Sequence, residues 1–142
     1  MAQDTTRYGL DLYGEYKLAE LLKAITGATE IPWVRLLYCY PDKITDELVA
    51  EIRDNPKIVK YIDLPIQHIS EKVLSAMNRH GGPAVIKDAV ARLRKEVTGI
   101  TIRTTAITGF PGETEEDFAE LCEFIKRTKF ERFGAFPYSQ EE

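Results

Sequence analysis

The chain has 142 residues, of which 44% are hydrophobic and 30% charged, and its formal net charge is −4. This size and composition predict a single soluble folded domain and exclude a disordered or fibrous chain. The acidic balance also argues against a nucleic-acid-binding protein, which usually shows clustered Lys and Arg, although it leaves room for a local basic patch.

Cysteine content and hydropathy indicate the compartment. Cys39 and Cys122 are too few for a disulfide framework and too far apart in sequence for a C-x-x-C metal pair. No apolar run approaches the ~20 residues that a membrane span needs, and the first residues lack the apolar centre of a signal peptide. We therefore expect a reduced, cytoplasmic protein without membrane association.

The first half of the chain predicts two helices and two strands. Apolar residues at helical spacing predict a helix over residues 13–26 that ends near Gly27. The mostly apolar, β-rich run at 33–40 predicts a buried strand. Thr45 then caps a second helix with acidic residues in its first turn, and residues 58–66 form the next strand.

The third predicted strand is preceded by two helices of different length. Ser70 is expected to cap a short helix that ends at Met77, before a glycine-containing break. Pro83 occupies the first turn of a longer helix, since proline fits that position. Residues 100–107 then alternate as a strand.

A capped helix and a final strand complete the predicted elements. Thr114 and Asp117 resemble a capping box in which Asp replaces the usual Glu. Glu113 and the acidic residues after it are interpreted as a helix start that compensates the helix dipole. The last strand is predicted at about 132–138.

Regular alternation of strands and helices predicts an α/β fold. Parallel strands joined by right-handed crossovers form either a doubly wound sheet or part of a βα barrel, and the alternation alone leaves both open. A sheet of four parallel strands has two open edges with unpaired backbone groups. These edges predict self-association or marginal stability.

Segments that directly follow the strands are candidate binding loops, because parallel βα folds bind ligands at the carboxyl ends of their strands. They are residues 39–42, 65–70, 108–114 and 137–142, and residues 3–6 would join them if a further strand precedes. We expect these five loops to converge at one opening at the carboxyl ends of the strands, here called the mouth.

The turn in AITGFPGETEEDF has two interpretations. Gly109 and Gly112 permit positive φ or close approach of a ligand to the main chain, and Pro111 stiffens the turn. The helix that starts after it presents free amides. A G-x-x-G turn before a capped helix also serves as a plain connector, so the motif alone does not decide.

Polar residues in and after the strands are further candidates. Gln67 and His68 follow a strand, where an amide and an imidazole bind hydroxyls or move protons, but a polar loop without a ligand is an equal interpretation. Arg103 lies in an otherwise apolar strand. It therefore either faces solvent or binds a carboxylate inside a barrel. No catalytic triad and no metal-ligating set is predicted.

Four stretches in this order resemble the radical SAM methylthiotransferases, and the resemblance covers nearly the whole chain. They are AQDTTRYG, VRLLYCYP, YIDLPIQHISEKVLSAMNRHG and IRTTAITGFPGETEEDF. The strongest resemblance is to the RimO-type branch, which methylthiolates the β-carbon of an aspartate in a small-subunit ribosomal protein.

The resemblance implies that residues 1–142 are a partial S-adenosylmethionine-binding domain, a four-stranded parallel slice of a partial TIM-type barrel. The glycine-containing strand motif and the final strand would border the adenine, and the segment PIQH would lie near the ribose and methionine. An arginine of the third strand would meet a carboxylate of the cofactor or of the target aspartate. The implied cofactor-binding residues are Gln67, His68, Arg103, Ile107, Gly109, Phe110, Gly112 and Tyr138.

The sequence also departs from the family pattern. It lacks the cluster-binding C-x-x-x-C-x-x-C run, the first two barrel strands and the two terminal domains. The [4Fe-4S] clusters and the ribosomal-protein substrate are therefore expected for a longer parent. The chain alone is expected to be inactive.

Two alternative functions stay open at this point. The sister methylthiotransferases act on tRNA, which would keep the enzyme class and change the substrate. A non-catalytic βα module that binds proteins through its open sheet edges is the second alternative.

Overall fold

The computed structural model describes residues 3–140, so Glu141 and Glu142 of the predicted 137–142 loop lie outside the described residues. Helices and strands alternate along this part of the chain. The helices are α1 (Leu10–Tyr13), α2 (Leu18–Ala28), α3 (Asp46–Asp54), α4 (Glu71–Ala76), α5 (Gly82–Glu96) and α6 (Glu115–Thr128). The strands are β1 (Val34–Leu36), β2 (Ile58–Asp63), β3 (Thr101–Thr108) and β4 (Arg132–Pro137).

The four strands form one sheet in the order β1-β2-β3-β4, and each neighbouring pair is parallel. The predicted α/β fold with four parallel strands is confirmed. A doubly wound sheet reverses its strand order near the middle, whereas here each strand pairs with the next one along the chain. The sequential order is that of a βα barrel segment, which decides between the two predicted architectures.

The two faces of the sheet differ in what covers them. On β3, Ile102, Thr104 and Ala106 are buried, whereas the residues that alternate with them are only half-buried. Helices therefore cover one face, and the opposite face is here called the open face. Register places on the open face Arg35, Tyr61, Asp63, Thr101, Arg103, Thr105, Ile107, Arg132, Gly134 and Phe136.

The main core lies between the helices and the covered face. Leu48, Val49 and Ile52 of α3 are at most 2% exposed and join the same cluster as Ile62 and Ile102 of the sheet. Each such side chain contributes about 1.5–3 kcal/mol through burial. Within residues 3–140, no helix has both the length and the apolar composition to cross a bilayer.

The helices begin with the caps that the sequence predicts, with one exception. The Thr45 hydroxyl accepts a hydrogen bond from the Leu48 N–H at 3.2 Å. Thr114 and Asp117 form the predicted capping box of α6. Ser70, however, makes no side-chain cap for α4, because its hydroxyl donates to the Asp117 carboxylate at 2.6 Å.

Three predicted elements differ from the structure, and one of them is the strand predicted at 58–66, which ends at Asp63. The first predicted helix, 13–26, is divided between α1 and α2, since Gly14 adopts φ 71° and ends α1, while Gly27 lies inside α2. The strand predicted at 33–40 shortens to Val34–Leu36. Tyr38 has φ 57°, which is incompatible with an extended strand.

Candidate functional site: the mouth at the strand ends

The segment after β2 continues as an irregular strand along β3. The Gln67 N–H donates to the Thr105 carbonyl at 2.9 Å, and the Ile107 N–H donates to the Gln67 carbonyl at 2.8 Å. Gln67 itself has φ 66°, a left-handed conformation that few non-glycine residues adopt. This backbone holds Gln67 beside Ile107, so the structure brings these two candidate residues together at the carboxyl end of β3.

The turn after β3 requires both of its glycines. Gly109 and Gly112 adopt φ 74° and 85°, a region in which a Cβ is strained. A Cβ built at either residue meets no atom within 4 Å. The glycines are therefore required by backbone conformation, and each leaves open space at its Cα.

Glu113 holds this turn closed. Its Oε2 accepts hydrogen bonds from the N–H groups of Gly109 and Phe110, the latter at 3.0 Å. Its Oε1 lies 3.2 Å from Nε2 of His68, and the side chain is only 5% exposed. Sequence analysis assigned Glu113 to a helix start and missed this role. The signal that would have found it is a carboxylate placed directly after a G-x-x-G turn.

His68 lies behind the turn and supports it. The side chain is 0% exposed, and its Nδ1 accepts a hydrogen bond from the Ser70 N–H at 3.0 Å. Because Nδ1 accepts, Nε2 carries the proton and donates to Glu113. Both ring nitrogens thus have partners inside the protein, and the structure places His68 where it positions Glu113 instead of facing the mouth.

A second carboxylate, Asp117, ties the segment after β2 to the start of α6. Asp117 accepts from the Ser70 hydroxyl at 2.6 Å and from the Thr114 N–H at 3.0 Å. These two hydrogen bonds hold the pKa of Asp117 well below its usual range, with a further contribution from Lys72 at 3.5 Å. The loops after β2 and β3 are therefore joined by two carboxylates, Glu113 and Asp117.

Aromatic side chains border the same turn. The rings of Phe110 and Tyr138 meet edge to face with centroids 5.1 Å apart. The Tyr138 N–H donates to the Thr108 carbonyl at 2.7 Å, which keeps the chain after β4 beside β3. Tyr138 is 38% and Phe136 57% exposed. The mouth thus combines main chain that a ligand can approach closely with an aromatic surface. This arrangement suits a planar ligand.

Arg103 lies deeper on the open face, away from the turn. Its guanidinium pairs with Asp63 at 3.0 Å, and Asp63 also accepts from the Tyr38 N–H at 3.1 Å. Asp63 is buried, whereas the Arg103 side chain is 44% exposed. The sequence left open whether Arg103 faces solvent or binds a carboxylate inside a barrel. In the structure it lies on the open face, is partly exposed and pairs with Asp63.

The cysteines do not form a cluster site. Cys39 is fully buried, and burial raises the pKa of its thiol to about 12. Cys122 is half-buried on α6. Within residues 3–140, no group of three or more His, Cys, Asp or Glu side chains is placed to hold a metal ion. The residues in this part of the chain therefore do not fit an iron–sulfur cluster, whereas the main chain and the aromatic rings at the mouth suit a planar ring.

Comparison with known sequences identifies relatives over the full length of the chain. It is 57% identical over 142 residues to the ribosomal protein uS12 methylthiotransferase RimO of Carboxydothermus hydrogenoformans, and 53% identical to the RimO of Desulfitobacterium hafniense. Each alignment covers 100% of this chain and 32% of the relative. The chain thus spans about a third of the length of these relatives.

Solved structures share the fold. Coproporphyrinogen III oxidase (HemN) from Escherichia coli, described as a radical SAM enzyme, aligns with a TM-score of 0.68 over 88% of this chain and 29% of its own, at 16% identity. SuiB of Streptococcus suis aligns with a TM-score of 0.62 over 97% of this chain and 28% of its own, at 18% identity. The sequence signature of the Radical SAM superfamily matches residues 4–125. The chain belongs to the radical SAM superfamily.

Proposed function

We propose that this chain is the S-adenosylmethionine-binding part of a radical SAM methylthiotransferase that acts on the β-carbon of an aspartate in a small-subunit ribosomal protein. The observation that carries this proposal is the 57% identity, over every residue of the chain, to a relative named for ribosomal protein uS12 methylthiotransfer. Such an enzyme would act in the cytoplasm, where ribosomal proteins are found.

The mouth is the proposed nucleoside site. Gly109 and Gly112 let a planar ring approach the main chain, and the ring would lie against the main chain at Ile107. Phe110 and Tyr138 provide aromatic surface on the side of the turn. When bound, S-adenosylmethionine supplies a sulfonium whose reductive cleavage starts radical chemistry.

Polar residues of the chain have different proposed roles at this site. Gln67 forms an isolated bridge with Ala106 near the carboxyl end of β3, and its amide is proposed to bind the ribose or methionine portion of the cofactor. Arg103 offers a partly exposed guanidinium on the open face to a carboxylate. His68 and Glu113 act as positioning residues, because their hydrogen bonds fix the turn and leave neither ring nitrogen of His68 free.

The [4Fe-4S] cluster is proposed to come from residues outside this chain. Cys39 is buried as a thiol, and Cys122 lies on a helix, so neither belongs to a set of three ligands. We expect negligible cleavage of S-adenosylmethionine by the 142-residue chain under reducing conditions. Turnover would show that this assignment of the cluster is wrong.

The first test is a titration of the isotope-labelled chain with S-adenosylmethionine, followed by NMR amide shifts. We expect shifts clustered at Gln67, 107–112 and Tyr138, with adenosine reproducing them and methionine failing to do so. Shifts elsewhere, or none up to millimolar ligand, would contradict the proposed nucleoside site. The variant Gly112→Ala should weaken these shifts, because it strains the turn at φ 85° without adding a clash, and Gly27→Ala inside α2 is its matched control.

The two alternative functions predict different results. A tRNA substrate predicts tight, salt-sensitive binding of tRNA. A protein-binding module predicts concentration-dependent association with no response to nucleoside. Self-association through the open sheet edges stays a prediction, and analytical sedimentation of the chain tests it.

A further inference from the structure

A cavity of about 200 Å³ lies beside the carboxyl ends of β1 and β2, on the helix-covered side of the sheet. Its walls are the segment after β1, the segment after β2 and the connection between α4 and α5. It is here called the rim cavity, and its polar lining consists of Arg7, Tyr40, Asp42, Asn78, Arg79 and His80. None of these residues belongs to the open face or to the proposed nucleoside site, so the rim cavity is a separate candidate site.

The backbone at the end of α4 fixes the position of Arg79. The Arg79 N–H donates to the Leu74 carbonyl at 2.8 Å, and the Asn78 N–H donates to the Ser75 carbonyl at 3.0 Å. Asn78 has φ 55°, so these two hydrogen bonds form a Schellman motif with Asn at its left-handed position. The main chain of Arg79 is thus ordered before any ligand binds, which lowers the entropy cost of binding.

The Arg79 guanidinium stacks on an aromatic ring and keeps its hydrogen-bond donors available. Its Cζ lies 4.4 Å from the centroid of the Tyr40 ring, and the Tyr40 N–H donates to the Thr6 hydroxyl at 3.3 Å. Stacking uses the face of a guanidinium and leaves the N–H groups at its edge for other partners. Within residues 3–140, the Arg79 side chain makes no ion pair and no hydrogen bond.

The neighbouring charges of the rim cavity are already paired. Nε of Arg7 donates to the Asp4 carboxylate at 2.9 Å, and Nζ of Lys43 lies 3.0 Å from the Asp42 carboxylate. The remaining guanidinium of the lining, that of Arg79, has no carboxylate partner in the part of the chain that the structure describes. The rim cavity therefore favours a ligand with one negative charge.

The size and the apolar wall of the rim cavity indicate a small carboxylate. The wall includes Ile66, Leu74 and Ile86, which are at most 5% exposed. A volume of about 200 Å³ lies below the usual ~300–1,000 Å³ of sites for drug-sized ligands, so a nucleotide is too large. A carboxylate matches the paired N–H donors of a guanidinium edge, and a short hydrocarbon stem suits the apolar wall. Phosphate lacks such a stem.

We infer that the rim cavity binds a carboxylate on a short hydrocarbon stem, with both oxygens accepting hydrogen bonds from Arg79 and the stem packed on the apolar wall. Such a group belongs to a free short-chain acid or to an acidic side chain of a polypeptide. The inference goes beyond the proposed function, because it involves neither the nucleoside nor the residues that would hold it. Either proposal can therefore fail while the other stands.

The test is a titration of the isotope-labelled 142-residue chain with butyrate, followed by NMR amide shifts at low ionic strength. We expect shifts at Tyr40, Asp42 and 78–82, and none at 107–112. Butyramide has the same shape without the charge and should leave these amides unshifted. N-acetylglutamate N-methylamide presents the carboxylate as a polypeptide side chain does. Tighter binding of this compound than of butyrate would support a polypeptide ligand, and the reverse order would support a free acid.

Variants at Arg79 test the contact itself. Arg79→Gln should weaken butyrate binding about tenfold, because paired charge-assisted hydrogen bonds are lost. If this variant unfolds, Arg79→Lys supplies a folded one that keeps the charge beside Tyr40, and wild-type affinity in it would contradict the paired contact. The control Arg127→Gln removes the same charge from a side chain of α6 that is 79% exposed, and it should bind as the wild type does.

Four results would each overturn the inference. They are equal weakening in Arg79→Gln and Arg127→Gln, absence of shifts at the rim cavity with both carboxylates, equal shifts with butyramide, and binding of inorganic phosphate at the same amides as tightly as butyrate.

Discussion

The mouth and the arginine row of the open face, which consists of Arg35, Arg103 and Arg132, lie on one sheet, yet their polar groups have opposite environments. At the mouth, Glu113 and His68 form hydrogen bonds to other groups of the protein itself. Along the row, Arg35 and Arg132 have no ion-pair partner within residues 3–140. The mouth therefore offers a ligand a fixed backbone shape, whereas the row offers charge.

This difference indicates which residues matter for each kind of binding. Buried, mutually bonded groups fix geometry and are costly to remove, because their partners lose hydrogen bonds that water cannot replace. Exposed charges contribute little to folding and stay available to a ligand. Substitutions at the mouth should consequently affect stability more than substitutions along the row.

The largest expected effect comes from Glu113→Ala. This change leaves the Phe110 N–H and the proton on Nε2 of His68 without their acceptor. We expect the free energy of unfolding to fall by about 3 kcal/mol, measured by urea denaturation, and the amide shifts with S-adenosylmethionine to be lost. Glu113→Gln should cost less, since it retains the shape and one acceptor oxygen.

The matched control for Glu113 is Glu115→Ala, an exposed position in the first turn of α6. It removes the same charge from the same helix start without touching the turn. If both alanine variants lost equal stability, Glu113 would act only through the helix dipole, and the contrast between mouth and row would fail.

An intermediate effect is expected from Gly112→Ala. Since a Cβ at Gly112 meets no atom within 4 Å, the cost arises from φ 85° alone and should be about 1 kcal/mol of unfolding free energy. Gly27→Ala is the control, because Gly27 lies inside α2 with equally open surroundings. That change should stabilise the protein by about 0.5 kcal/mol. Effects of equal sign would show that the turn does not require positive φ.

The smallest effect concerns the pH dependence of the second carboxylate at the mouth. Because the folded pKa of Asp117 is lowered, its contribution is complete above the ordinary value near 3.8 and is lost as the pH falls towards the lower folded value. Unfolding free energies of the wild type and Asp117→Asn should differ by a constant amount at higher pH and converge in acid. Glu120→Gln, an exposed carboxylate of α6, should show no such convergence, and a constant difference in acid for Asp117→Asn would contradict the proposed tie.

Sequence reasoning predicted most of the fold, because periodicity and capping act locally. The third strand was placed within one residue of Thr101–Thr108, and the capping box of α6 was identified with its Asp. Ser70 shows where local reasoning stops. Its position at the start of α4 favours a cap, but Asp117 competes for its hydroxyl from a segment 47 residues away.

By itself, the sequence determined the strand and helix order, the glycine turn and the resemblance to the radical SAM methylthiotransferases, since these depend on local patterns. Only the tertiary structure decided that consecutive strands are neighbours in one sheet, that Glu113 closes the turn through His68, and that Arg103 lies opposite Arg132. The physical reason is that strand register and buried hydrogen bonds join residues far apart in the chain, and no local pattern encodes which strand a side chain will face.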